Sequence, residues 1–166
     1  MGINRYRYWK RCSSIIVQGQ KVGEWVCQEA GGSWTSICQS IGQTYNNKII
    51  VGVMYDGYTG SSIAIHSRCD DPRHVSRKFY WAIFDYPFNV LKVKQLKGLV
   101  STSNLKAQKV NEHLGFKREA LLKDYFPDGD GIVYAMSKDE CRWLKLTERY
   151  KDKVWNYWIL NGYYQH

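Results

Sequence analysis

Ser101-Thr102-Ser103-Asn104-Leu105-Lys106-Ala107, continued after three residues by Asn111-Glu112-His113-Leu114-Gly115-Phe116-Lys117-Arg118-Glu119-Ala120, is the stretch on which the fold turns. Ser103 and Asn104 carry short side-chain oxygens that can accept from the free N–H groups of a first helical turn, so a helix is expected to open there. Ala107, Val110 and Leu114 recur on one stripe of that helix. Gly115 ends it, because a residue without Cβ adopts the left-handed closing conformation at least cost. Phe116 then begins a strand through Lys123.

Toward the N-terminus, Gln95 to Ser101 reads as a strand with Leu96, Gly98 and Val100 on one face. Before it a helix runs from about Ser76, with Phe79, Ala82, Ile83 and Tyr86 at helical spacing and Tyr80, Phe84 and Phe88 in the neighbouring stripe. A helix apolar on most sides is buried, and Pro87 ends or kinks it. Lys48 to Tyr55 is β-branched and apolar, Asp56-Gly57-Tyr58-Thr59-Gly60 supplies turn chemistry, and Ser61 to His66 returns as a second strand that Asp70-Asp71-Pro72 terminates. The first forty-five residues are poorly readable: Ser14 to Val17 and Gly23 to Cys27 suit short strands, and Ala30-Gly31-Gly32-Ser33 suits a loop.

Toward the C-terminus, Pro127-Asp128-Gly129-Asp130-Gly131 turns the chain into a strand from Ile132 to Met136. Ser137-Lys138-Asp139-Glu140 has the capping-box form and is expected to open a last helix on which Trp143, Leu146, Tyr150 and Val154 share a face. The succession is mixed α and β around a central sheet, and no repeat or linker divides it, so residues 1–166 read as one domain with the C-terminal helix and tail over 138–166.

Composition limits the partners. With 166 residues, 44% of them hydrophobic, the chain can bury a core, and no run approaches the ~18 apolar residues of a membrane span. The +9 net charge favours anionic partners: nucleic acid, phosphorylated cofactors or acidic proteins. Cys12, Cys27, Cys38, Cys69 and Cys141 are odd in number, far apart and not at metal-ligand spacing, which predicts free thiols in a reducing cytoplasm and no metal site.

With Asn104 opening a helix, Ala107 three residues on, and Leu114-Gly115-Phe116 leading into a strand that bears Glu119, the chain resembles the GNAT superfamily of acetyl-CoA-dependent N-acyltransferases. It is especially similar to small phage-encoded members in Phe84 to Phe88, in the Asp-Gly-Asp turn and in Glu140 to Leu144. The resemblance covers roughly residues 49–146. It implies an α+β fold with a mixed, mostly antiparallel sheet flanked by helices, plus an extra C-terminal helix. Acetyl-CoA is the acyl donor it implies, transferred to a primary amine by direct attack in a ternary complex.

In the family, the loop before a helix binds the CoA pyrophosphate and reads Arg or Gln, two residues, Gly, one residue, then Gly or Ala. The corresponding residues here are Arg73-His74-Val75-Ser76-Arg77-Lys78, without the glycines. Either Ser76 and Lys78 fit a loop that is helical enough, with Arg73, Arg77 and Lys78 and the nearby Arg68 compensating by charge, or CoA binding is impaired and the fold is reused. The resemblance also places Asn104, Ala107 and Asn111 beside the pantetheine arm.

Acyl transfer to an amine needs a neutral amine, a stabilised oxyanion and a proton for the leaving thiolate. The resemblance assigns the oxyanion contact to a backbone N–H of the strand from Ser61 to Arg68. His66 on that strand has the chemistry of a general base, and a hydrogen-bonded structural role is the alternative; Asp70, Asp71 and Asp56 are second choices that also suit turns. Where the family has a Tyr as thiolate acid this chain has Asn111, so the proton comes from Ser103, from another Tyr such as Tyr134, or from water. The aromatic, Lys-rich stretch from Trp143 to Tyr164 suits either docking on the sheet or on a second subunit, or base stacking. Two other functions follow from these features: a catalytically silent binding module, and an acyltransferase whose amine acceptor is nucleic acid.

Overall fold

A computed structural model describes residues 14–149 of the chain. Seven strands form one sheet in the order β1-β2-β3-β4-β5-β7-β6: β1 Ile15–Gln18, β2 Gln39–Tyr45, β3 Lys48–Asp56, β4 Ser62–Cys69, β5 Gln95–Ser101, β6 Lys117–Phe126 and β7 Gly129–Ser137. Every neighbouring pair is antiparallel except β4 with β5, which run parallel. The helices are α1 Gln20–Ala30, α2 Arg77–Asp85 and α3 Leu105–Leu114. Among the described residues no helix is long and apolar enough to cross a membrane.

The pleat sends successive side chains to opposite faces and so separates two cores. Met54 on β3 packs with Val22 and Val26 of α1, while its neighbours Val53 and Tyr55 join Phe79, Phe84, Leu96, Tyr134 and Met136 in the larger core under α2 and α3. Gly23 to Cys27, expected as a strand, belongs to α1. Val22 and Val26 are four apart, which is one helical face, and a Cβ on Gly23 would lie 1.8 Å from the Trp34 ring that crosses the helix there. Strand β2 went unread because its polar residues hide the alternation; its turn to β3 is Asn46-Asn47, both at positive φ (50° and 62°), the primed geometry a two-residue hairpin needs.

Pro87 changes α2 rather than stopping it. The chain continues as a π turn, Tyr86–Val90, in which the Leu91 N–H donates to the Tyr86 carbonyl. Proline has no N–H to offer the carbonyl four residues back, that of Ile83. The buried Tyr55 hydroxyl donates to it instead, at 2.6 Å. Burial also pushes the Tyr55 phenol well above its ordinary pKa, which keeps it a donor. Tyr55→Phe is therefore expected to cost about 1–3 kcal/mol, read as a lowered urea midpoint, because it strands a buried carbonyl.

In α3, Asn104 caps the helix by accepting from the Ala107 N–H at 3.0 Å, and Gly115 closes it at φ 107°. The expected apolar stripe is rotated. Ala107 and Leu114 pack on the core, but Val110 is 46% exposed and the buried residue is Gln108. Its amide donates to the carbonyls of Ser101 and Thr102 and accepts from Arg118, tying α3 to the end of β5.

After β7 the capping box is half made. The Ser137 N–H and hydroxyl both donate to Glu140, yet residues 138–140 form a turn and Arg142–Arg149 is a 3-10 helix. Trp143 packs on helices rather than on the sheet: it stacks on Tyr80 of α2 at 4.7 Å, and its indole N–H donates to the carbonyl of Leu114 of α3 at 2.8 Å. The side chain of Leu146, the rest of the expected C-terminal helix and the basic N-terminus lie outside the described residues.

Candidate active site

The site begins where the sheet comes apart. Strands β4 and β5 pair at only three positions, Ser62 with Gln95, Ile63 with Leu96 and Ala64 with Lys97. Beyond them β4 stays with β3 through Cys69 and β5 stays with β7 through Ser101, so the two inner edges diverge as a wedge. A parallel strand pair that opens leaves backbone donors and acceptors facing the gap, and such groups need partners. Both helices that follow these strands, α2 after β4 and α3 after β5, present their N-termini at the wide end.

Ser76 caps α2 by accepting from the Phe79 N–H at 3.1 Å. Behind it stands a residue that sequence reasoning missed, Gln43 of β2, whose side chain is fully buried. Its carbonyl accepts from the Ser76 N–H (2.9 Å) and hydroxyl (2.8 Å), and its amide donates to the His74 carbonyl (2.7 Å). A glutamine between Gly42 and Thr44 gives no pattern signal; only the fold brings it 33 residues along to the loop.

The missing glycines carry no conformational cost here. No residue from Arg73 to Lys78 has a positive φ, and Ser76 sits at φ −85°, ψ 153°, which any residue adopts. The cations of the loop are not equivalent. Arg73 is 82% exposed and pairs with Asp71 at 3.1 Å; His74 stacks on Tyr45 and shares the same carboxylate at 2.8 Å. These hydrogen bonds, His74 first and Arg73 second, hold the Asp71 carboxyl below its usual range. Arg77 and Lys78 form no ion pair among the described residues, and their N–H groups are in the unsatisfied first turn of α2.

His66 and Arg68 project from the open half of β4 on the α1 face, opposite Met54 and Gly52. His66 Nε2 lies 3.0 Å from Asp56 Oδ1, so the structure joins two residues that the sequence offered as separate candidates. Arg68 stands apart from the loop cations. Its guanidinium lies over the Trp25 ring, donates to the Trp25 carbonyl and Gln28, and pairs with Asp70, which fastens the end of α1 to β4.

On the β5 side, Asn104 is exposed with its carboxamide oxygen used as the cap. Asn111 donates to the Ala107 carbonyl at 2.9 Å, and its oxygen would be 3.3 Å from a Cβ on Gly98; a glycine there lets α3 lie directly on β5. Ser103 donates to Asp128 from the β6–β7 turn and lies 2.9 Å from the Ser101 hydroxyl. These two hydroxyls, Ser103 first, keep the Asp128 carboxyl below its ordinary value. Tyr134 is committed elsewhere: buried, it donates to Glu112 at 3.1 Å and accepts from Arg118. Its hydroxyl belongs to that network and not to the wedge.

No protein-family model and no curated sequence matches the chain. Solved structures do. A probable acetyltransferase matches with a TM-score of 0.54 at 16% identity over 62% of each chain, less than two thirds of that protein. Mutant forms of the spermidine/spermine N-acetyltransferase SpeG from Vibrio cholerae match with a TM-score of 0.63 at 14% identity, over 82% of this chain and 100% of theirs. A structure of the Vibrio cholerae spermidine N-acetyltransferase in complex with CoA and spermine matches at 0.54 and 17%, over 63% and 68%. A GNAT-family acetyltransferase from Bacillus anthracis matches at 0.51 and 18%, over 61% of this chain and 67% of its own. The chain has the GNAT fold. At these identities the likeness concerns architecture, and the chemistry has to be argued from this chain's own residues.

Proposed function

We propose that the chain is an acetyl-CoA-dependent N-acetyltransferase that acts on a primary amine by direct attack in a ternary complex. The observation that carries the reading is the wedge between β4 and β5 with an unstrained, uncompensated cationic helix start at its wide end. Two facing strand edges can hydrogen-bond an extended ligand that carries amides, as pantetheine does. Its phosphates would meet Ser76, Arg77 and Lys78, with Arg73 at the rim; Arg68, neutralised by Asp70 and Glu29, would border the site from the α1 side without adding net charge. Asn104, Ala107 and Asn111 would border the arm along α3.

In the transfer, the neutral amine nitrogen attacks the thioester carbonyl, the C–N bond forms, the C–S bond breaks and a second N–H proton passes to the thiolate, after the incoming ammonium has given its first proton to a base. Asp56 occupies Nε2 of His66, so Nδ1 is the nitrogen available to take that proton. A backbone N–H on the unpaired edge of β4 would stabilise the oxyanion. The second proton reaches the thiolate through water or through the Ser103 hydroxyl, which can turn from Asp128 and regains a proton as it gives one. A cytoplasmic setting accords with the free thiols of Cys27, Cys38, Cys69 and Cys141. A phage origin rests on the sequence resemblance alone.

The test is incubation with acetyl-CoA and a panel of amines, polyamines first because the structural neighbours include a spermidine N-acetyltransferase, then lysine peptides and tRNA. Acetylated product by mass spectrometry with stoichiometric free thiol supports the reading. CoA binding without product from any amine would support the silent module instead.

A further inference from the structure

Far from the wedge, at the other end of the sheet, residues 92–94 before β5 and the end of β7 meet the π turn that finishes α2 and border an open recess of about 500 Å³. The length of β5, seven residues at ~3.3 Å each, puts this recess about 20 Å from the wide end of the wedge. Its floor is apolar, from Phe88 and Val93, both buried. Its rim is cationic. Lys92, Lys94 and Lys138 line it against one carboxylate, Asp139.

None of the three lysines has an ion-pair or side-chain hydrogen-bond partner among the described residues. Asn89, also in the lining, donates one amide hydrogen to Asp85 at 2.7 Å, and its second amide hydrogen has no partner among the described residues. Even with Asp85 counted, cations outnumber carboxylates. Lys117 and Lys123 each meet a carboxylate elsewhere on this surface, while Lys97 and Lys106 do not among the described residues; what sets Lys92, Lys94 and Lys138 apart is that all three line one recess.

Lys92 adds an independent observation. Its backbone is left-handed at φ 57°, at the close of the π turn, where glycine is the residue of least cost. A favourable interaction of its cation with the helix C-terminus accounts for a positive charge nearby but not for a strained backbone beside two more lysines.

We propose that this recess binds a small dianion, of the phosphate-monoester or dicarboxylate class, at a site separate from the acyl-transfer wedge. Three mobile ammonium groups bind such a ligand as point charges, the amide of Asn89 supplies a directed donor, and the volume admits a phosphorylated metabolite.

The experiment is a ¹H–¹⁵N NMR titration of the full chain with inorganic phosphate and, separately, malonate, against sodium chloride at matched ionic strength. Saturable shifts at the amides of Lys92, Lys94, Lys138 and Asp139 are expected with one or both dianions, and the tighter one names the source. The Lys92→Gln, Lys94→Gln, Lys138→Gln variant is expected to bind at least tenfold more weakly while keeping its spectrum elsewhere. Lys92→Gly serves as a second variant, expected to raise Tm by about 2 °C while weakening the dianion several-fold. Shifts from chloride equal to those from the dianions would overturn the proposal, as would undiminished binding by the triple variant or shifts confined to Arg77 and Lys78.

Discussion

His66→Ala is expected to lower kcat by about 100-fold or more at neutral pH, with little change in the KM for acetyl-CoA, the range general-base removal produces. The imidazole lies on the α1 face of β4, past the last residue that pairs with β5, where an amine entering the wedge would meet it. The same substitution is expected to change the shape of the pH–rate profile as well as its height. Asp56→Asn tests the partner. Because Asp56 orients the ring through Nε2, its loss is expected to lower kcat less than the loss of His66. A destabilised protein with an unchanged profile would make the pair structural.

The second large effect is on cofactor affinity. Arg77→Ala with Lys78→Ala is expected to raise the Kd for CoA by about 30-fold, two charge-assisted contacts discounted for exposure, and to flatten the dependence of Kd on salt. Arg73→Ala is expected to change it little, since that side chain is exposed and already shares Asp71 with His74. Isothermal titration of the variants reads both outcomes. Equal losses from Arg73 and from the Arg77 and Lys78 pair would mean that the phosphates sit one turn earlier in the chain.

Legibility in the sequence followed how local the determining physics was. Asn104 and Gly115 announced α3 because a cap oxygen and a left-handed terminus are decided within a few residues. Lys48 to His66 announced the β3–β4 hairpin through β-branched content and turn chemistry. What could not be read was set across the chain. The widening of β4 from β5 is a property of two strands whose outer partners differ, and Gln43 reaches the α2 loop only after the sheet has folded. The absence of glycine from 73–78 suggested a cost in backbone geometry; the observed torsions carry none, so the argument about this loop moves to charge. Val110 was assigned to the core by spacing alone, whereas the hydrogen bonds of Gln108 fix the rotation of α3.

The formal charge of +9 also divides unevenly. Arg68, Arg73, Lys117, Arg118 and Lys123 are neutralised by carboxylates within the described residues. Arg77 and Lys78 at one end of the sheet, and Lys92, Lys94 and Lys138 at the other, are not, and neither are the scattered Lys21, Lys48, Lys97, Lys106 and Lys109. An anionic ligand at the first of these places is what the fold and the loop geometry together predict.

Isothermal titration of the unmodified protein with acetyl-CoA tests that prediction most directly. Saturable one-to-one binding with a Kd well below about 1 mM, weakened by rising salt, is the result the wedge and its cationic rim predict. Absence of binding up to that concentration, from a protein whose spectrum shows it folded, would contradict it.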